Sequence, residues 1–139
     1  MNSVALYHLK GGVGKTATAV NLACLAAREG QRTLLWDLDP QGAASFYLRV
    51  DPRVKGGAEQ LVRRRKTALR AIRGTDFDNL DLLPADFSER DLDLVLDAHK
   101  RRKHRLARLA SRFAADYDWL ILDCAPSISL VSENVFRAV

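Results

Sequence analysis

Seven consecutive residues, Lys10-Gly11-Gly12-Val13-Gly14-Lys15-Thr16, have the make-up of a phosphate cradle. A polyphosphate presents several negative charges on closely spaced oxygens, and wrapping it takes a run of inward-pointing main-chain N–H groups. Glycines supply the positive φ angles that such wrapping needs and leave room for the phosphate to approach. A helix starting directly behind the loop adds unpaired N–H groups and the positive end of its dipole. In this pattern Lys15 reaches the β- and γ-phosphates and the Thr16 hydroxyl binds magnesium. The strict pattern has a glycine six residues before its lysine, and Leu9 occupies that place here. The competing reading, a glycine turn with no ligand, is disfavoured by the strand-like segment before the loop and the helical one after it.

Two aspartates end apolar runs: Asp37 follows Leu35-Trp36, and Asp123 follows Leu120-Ile121-Leu122. Ligands of open parallel sheets lie beyond the carboxyl ends of the strands, so both carboxylates are expected beside the loop. A magnesium ion on the phosphates takes such oxygen neighbours, directly or through water. Taken alone, an aspartate at a strand end is a turn or capping residue; the loop is what turns both toward a metal role.

The elements that must position these groups follow from periodicity. Residues 3–8 read as a buried strand, 15–28 as a helix with Gly30 just past its end, and 32–36 as a second strand. Strand, helix, strand at this spacing is a βαβ unit with parallel strands. Residues 80–84 and 119–123 read as further strands, the last apolar on both sides as central parallel strands are. Residues 58–72 form a basic helical segment, and 92–98 and 106–115 read as helices. In the last, Leu106, Leu109, Ala110 and Phe113 share one face. Another helix begins over 128–139 and stops without a capping residue or polar tail, so the end reads as cut. Trp36, Phe46 and Tyr47 read as core. The expected fold is α/β, a parallel sheet with helices on both faces, as one domain over residues 1–139.

At these residues the sequence resembles the deviant P-loop ATPases of the ParA/MinD family. The marks are Lys10 opening the loop, Asp37-Leu38-Asp39-Pro40-Gln41-Gly42, and Leu120-Ile121-Leu122-Asp123-Cys124-Ala125-Pro126-Ser127; Leu80-Asp81-Leu82-Leu83-Pro84-Ala85 and Asn134 also match. The wording from Asp37 to Gly42 is closer to the ParA/Soj branch than to MinD. The resemblance implies a P-loop NTPase fold of SIMIBI type, ATP and Mg2+ as cofactors, and ATP hydrolysis. The cofactor-binding residues it implies are Lys10, Gly11, Gly12, Val13, Gly14, Lys15, Thr16 and Ala17, with Thr16, Asp37 and Asp123 toward the metal. Lys10 would be the signature lysine, reaching the partner's phosphates across an ATP-dependent homodimer and so supplying a cation in trans. Asp39, two residues past Asp37 and just before Pro40, would orient the attacking water, making Lys10, Lys15 and Asp39 the catalytic set. The implied task is partition or positioning of DNA, in the cytoplasm on the nucleoid, with a ParB-like partner protein. A MinD-like or regulatory ATPase of the same family, and a truncated non-catalytic nucleotide-binding or interaction module, are the alternatives. Ala17 and Ala43 stand where the family usually has threonine and asparagine, and the chain covers about the N-terminal half of the family domain.

Composition sets the outer bounds. The 139 residues are 47% hydrophobic and 28% charged, a globular profile. The apolar runs are too short to cross a bilayer, so no membrane segment is expected. A net charge of +5 permits a polyanion partner without requiring one. Lys100, Arg101, Arg102, Lys103 and Arg105 form a basic cluster that could contact DNA phosphates without sequence preference; Arg63, Arg64, Arg65 and Lys66 form a weaker one. The opposing reading is a solvated helix face offset by Glu89, Asp91, Asp93 and Asp97. Cys24 and Cys124 read as buried free thiols of a reducing compartment. His8, His99 and His104 share no ligand spacing, and Ser127 and Ser129 lack a histidine base.

Overall fold

The structure is a computed structural model and describes residues 1–53, 65–85, 89–98 and 102–139. Its strands are β1 (Asn2–Leu6), β2 (Thr33–Asp37), β3 (Arg73–Gly74), β4 (Leu80–Leu83) and β5 (Trp119–Asp123). The helices are α1 (Lys15–Arg28), α2 (Ala43–Tyr47), α3 (Arg65–Ala71), α4 (Glu89–Asp97), α5 (Arg105–Ala110) and α6 (Leu130–Val135), with a 3-10 turn at Arg102–His104. The sheet runs in the order β1-β5-β2-β4-β3. All pairings are parallel except that of β3 with β4, which is antiparallel. The parallel sheet expected from the sequence is thus present, with one short antiparallel strand added at its edge.

Alternation along the central strands feeds two cores. Leu34, Trp36, Leu120 and Leu122 face one way and pack with α4, with α5 and the turns after it, and with α6 through Leu92, Leu96, Leu106, Phe113, Val131 and Val135. Leu35, Leu82 and Ile121 face the other way and meet Ala19, Ala23 and Ala27 of α1 and Ala44 of α2. Alanines at these three α1 positions bring the helix axis close to the sheet, which fixes the loop before it. Helices on both faces are therefore present, α1 and α2 on one and α3 to α6 on the other.

Helix α1 spans the expected residues. It ends with Gly30 at φ 79°, where the Gly30 and Gln31 amides donate to the carbonyls of Ala27 and Ala26. Other boundaries moved. β1 ends at Leu6 and is half-buried rather than running to His8. Helix α5 stops at Ala110 because turns take over through Asp116, and α6 is confined to Leu130–Val135. Of the basic segment over 58–72, residues 58–64 lie outside the described residues, and α3 takes up Arg65–Ala71. Phe46 and Tyr47 are not core: they are 82% and 60% exposed. Helix α2 turns Ala44 and Ser45 inward, with Leu48 just behind, so the two aromatic residues face out. Trp36 is fully buried, edge-on to Phe113 at 6.2 Å between ring centres. Cys124 is buried, which pushes its thiol up to about 12; Cys24 is half-buried, and both are free.

Candidate functional site

The strand registers place the chemistry. β5 lies between β1 and β2, with Leu6 opposite Asp123 and Asp123 opposite Asp37. The two carboxylates thus end adjacent strands in one row, at the sheet edge from which the loop of β1 leaves. Gly12 and Gly14 take φ of +72° and +87°, which disfavours a side chain at either. Gly14 caps α1 in a left-handed conformation without any side-chain cap, and no acidic residue sits in the first turn. The first amides of α1 are therefore left to an incoming anion.

Asp37 and Asp123 are both fully buried, yet their surroundings differ. Asp37 Oδ2 accepts from the Ser45 N–H at 3.1 Å and the Ser45 hydroxyl at 3.0 Å, while Oδ1 accepts from the Asp39 N–H at 3.2 Å. Burial nevertheless raises Asp37 to about 6; the Ser45 bonds oppose the rise and the negative charge of Asp123 adds to it. Neither oxygen of Asp123 has a hydrogen bond of ordinary geometry. Burial pushes its pKa up, offset in part by the nearby Thr16 hydroxyl and the Lys15 ammonium. Two buried carboxylates, one of them unsatisfied, next to a lysine and a hydroxyl are an arrangement that a divalent cation would complete. Among the described residues no group of three or more His, Cys, Asp or Glu could hold a metal alone. An ion here would take its remaining oxygens from phosphate and water, and the donor set fits magnesium on those terms.

In front of these groups opens a cleft of about 630 Å³. Gly11, Gly12, Gly14, Lys15, Thr16 and Ala17 form one wall, and Asp39, Pro40, Gln41, Ala43 and Tyr47 the facing one, with Ala125 and Pro126 at the side. Asp39 is half-buried and its Oδ1 accepts from the Gln41 N–H at 2.9 Å.

The family model described as an AAA domain matches residues 1–139. The chain belongs to that family, and its fold is the ParA/MinD-like P-loop fold. Sporulation initiation inhibitor protein Soj of Bacillus subtilis (strain 168) is 36% identical over 97% of this chain and 54% of its own length. Chromosome partitioning protein ParA of Myxococcus xanthus is 34% identical over 97% of this chain and 48% of its own. The chain thus spans about half the length of the curated relatives it matches. Among solved structures, cobyrinic acid a,c-diamide synthase of Mycobacterium smegmatis with bound ATP analog and magnesium superposes with a TM-score of 0.88. It is 30% identical, covering all of this chain and 57% of that one. McdA of Cyanothece in an ATP complex shares the fold, with a TM-score of 0.88 at 22% identity over 100% of this chain and 54% of that one.

Within this ParA/MinD-like frame, Gly11, Gly12, Gly14, Lys15, Thr16, Ala17 and Asp39 share the cleft, whereas Asp37 and Asp123, side by side in register, are not among the residues that line it. Lys10 and Val13 are exposed and do not line the cleft; the Lys10 N–H donates to His8 Nδ1 at 2.9 Å. The basic cluster is only partly described. Lys100 and Arg101 lie outside the described residues, and of Arg102 only the backbone is described. Lys103 is ion-paired with Glu133 at 3.0 Å, and Arg105 is half-buried, its N–H donating to Asn134 Oδ1 at 2.9 Å. Sequence reasoning missed Ser45 as the anchor of Asp37 and Tyr47 as a cleft residue. A period-3.6 search cannot find a five-residue helix, although Gly42, at φ 62°, marked where the chain would turn into one. No helix among the described residues is long and apolar enough to cross a membrane.

Proposed function

We propose that the protein is a ParA-like ATPase that binds Mg-ATP in the loop of residues 10–17, dimerises in the ATP state and acts in partition or positioning of DNA. One juxtaposition carries the reading: a glycine loop running into an uncapped helix, with a buried carboxylate that no protein group satisfies beside its lysine and threonine. The names of the Soj and ParA relatives support the task, and the ATP analog and magnesium in the Mycobacterium smegmatis structure support the ligand.

In this account the loop amides and Lys15 hold the β- and γ-phosphates. Thr16 and Asp123 would hold the magnesium, which when bound would neutralise charge building on the γ-phosphate. Asp37, with both oxygens engaged by its own chain, stands behind Asp123 and fixes α2. Asp39 uses one oxygen to hold the Gln41 turn and offers the other to a water. Lys10, exposed and outside its own cleft, is free to reach the phosphates of a second copy. DNA contact at Lys100, Arg101, Arg102, Lys103 and Arg105 would have to draw Lys103 away from Glu133. A ParB-like protein is the proposed partner, and the cytoplasm on the nucleoid the proposed location.

The test is phosphate release by the complete protein with DNA and partner, comparing wild type with Asp39→Ala. The variant should bind Mg-ATP as wild type does yet lose about 100-fold or more in turnover, the usual scale for a positioned acid–base group being roughly 10²–10⁴. Wild-type turnover in the variant would release Asp39 from its role.

A further inference from the structure

We propose that the Tyr47 hydroxyl is a ligand-positioning donor of the cleft, giving a hydrogen bond to a phosphate oxygen of the bound nucleotide; the inference rests on the nucleotide reading above. Tyr47 closes α2 one turn beyond Ala43, and residues four apart share a helix face. Both line the cleft, across from Ala17 of α1. The ring is 60% exposed, and its hydroxyl makes no hydrogen bond among the described residues. An exposed phenol at the rim of an anion-binding cleft has an apolar body to lay over a ligand and a polar tip to donate from.

The composition of the facing wall makes that tip matter. Ala43 and Pro40 have no side-chain donor, and Asp39 carries a negative charge that repels phosphate at close range. Gln41 and Tyr47 are left as the side-chain donors on that side. Ala17 and Ala43, which also line the cleft, have only methyl side chains and offer no donor that would compete with the phenol. The helix presenting the ring is held in place: Ser45 bonds Asp37 twice, and Ala44, Ser45 and Leu48 are buried at 5% exposure or less. The position of Tyr47 is thus set by groups that do not depend on its own side chain. A donor carried on a held backbone has only its side-chain rotations left to lose when it bonds, and bonds to ionised acceptors are among the stronger ones.

The experiment is calorimetric titration of the complete protein with Mg-ATP and, separately, with magnesium tripolyphosphate, for wild type, Tyr47→Phe, Tyr47→Ala and Lys15→Ala. Tyr47→Phe removes only the hydroxyl, and its ligand-free melting curve should match wild type because no protein partner is lost. Its affinity for both ligands should fall about tenfold, the scale of one hydrogen bond to a charged group. A loss for Mg-ATP alone would move the contact to the sugar or base and overturn the phosphate assignment. Wild-type affinity in Tyr47→Phe overturns the proposal too. If Tyr47→Ala is then weak, the ring acts by packing; if Tyr47→Ala loses only self-association, the aromatic pair of Phe46 and Tyr47 belongs to an interface. Lys15→Ala separates the two levels: if it binds as wild type does, the nucleotide reading has failed, and if it does not bind, the Tyr47 results judge this proposal by itself.

Discussion

At the end of β2, Asp37 is enclosed by its own chain: Ser45 reaches back eight residues to supply a hydroxyl and an amide, and Asp39 a further amide. At the end of β5, one strand over and in register, Asp123 is as deeply buried, with no hydrogen bond of ordinary geometry on either oxygen and only the Thr16 hydroxyl and Lys15 ammonium nearby. A buried charge without partners is expensive, and native proteins retain one chiefly where a ligand completes it. The difference assigns the two aspartates different work. Asp37 spends its hydrogen-bonding capacity folding the segment that carries Asp39 and Tyr47, and Asp123 keeps its capacity for a guest. The resemblance alone treats the two as one kind of residue.

Substitution at Asp123 should sharpen the contrast most. Asp123→Asn should weaken Mg-ATP binding about 10–100-fold, the range for residues that support a bound metal, and raise the melting temperature of the ligand-free protein by removing an unsatisfied buried charge. Ser45→Ala should do the opposite at the other strand end. It loses a hydroxyl bonded to a carboxylate, so stability should fall by about 1.5–3 kcal/mol, with a smaller effect on ligand affinity; denaturant titration and calorimetry together read both. If the two variants behaved alike, the division of labour would be wrong.

Acidity gives a second handle on Asp37. Its folded-state pKa, about 6, lies above the ordinary 3.8, so the folded chain holds its proton more tightly than the unfolded chain. The sign follows from linkage: this contribution is fully present below about pH 4 and is lost as the pH rises through about 6. The stability of wild type relative to Asp37→Asn should therefore decline between pH 4 and 6.5 in the ligand-free state, by an amount on the order of 2–3 kcal/mol. A flat difference across that range would contradict the burial argument.

The glycines divide in a similar way. Gly14→Ala puts a side chain at a left-handed φ and should destabilise by about 1–2 kcal/mol with no ligand present. Gly11 has no such angle, and an added methyl group there meets nothing within 4 Å. Gly11→Ala should leave the ligand-free melting temperature unchanged, and whatever it does to binding then reports on room needed by the phosphates.

Local signals accounted for much of this. The loop, α1 and β5 were legible because glycine spacing, helical period and an unbroken apolar strand each act within a few residues. The apposition of Asp37 and Asp123 was legible only through the rule about strand ends; the register that puts them side by side comes from β5 inserting between β1 and β2, which no local pattern encodes. The pair β3 and α2 escaped because two and five residues are too few to show a period. Phe46 and Tyr47 were assigned to the core on hydrophobicity alone, whereas the facing of a short helix decided otherwise. Ser45 was invisible as an anchor since its contact depends on the turn at Gly42.

The central claim is that the loop of residues 10–16 holds a magnesium-bound nucleotide. Titration calorimetry of Mg-ATP into the complete protein tests it most directly, with Lys15→Ala alongside. A saturable heat in wild type that vanishes in the variant is the predicted result. No heat with Mg-ATP or Mg-ADP from folded wild-type protein, or equal heats from both proteins, would contradict the account.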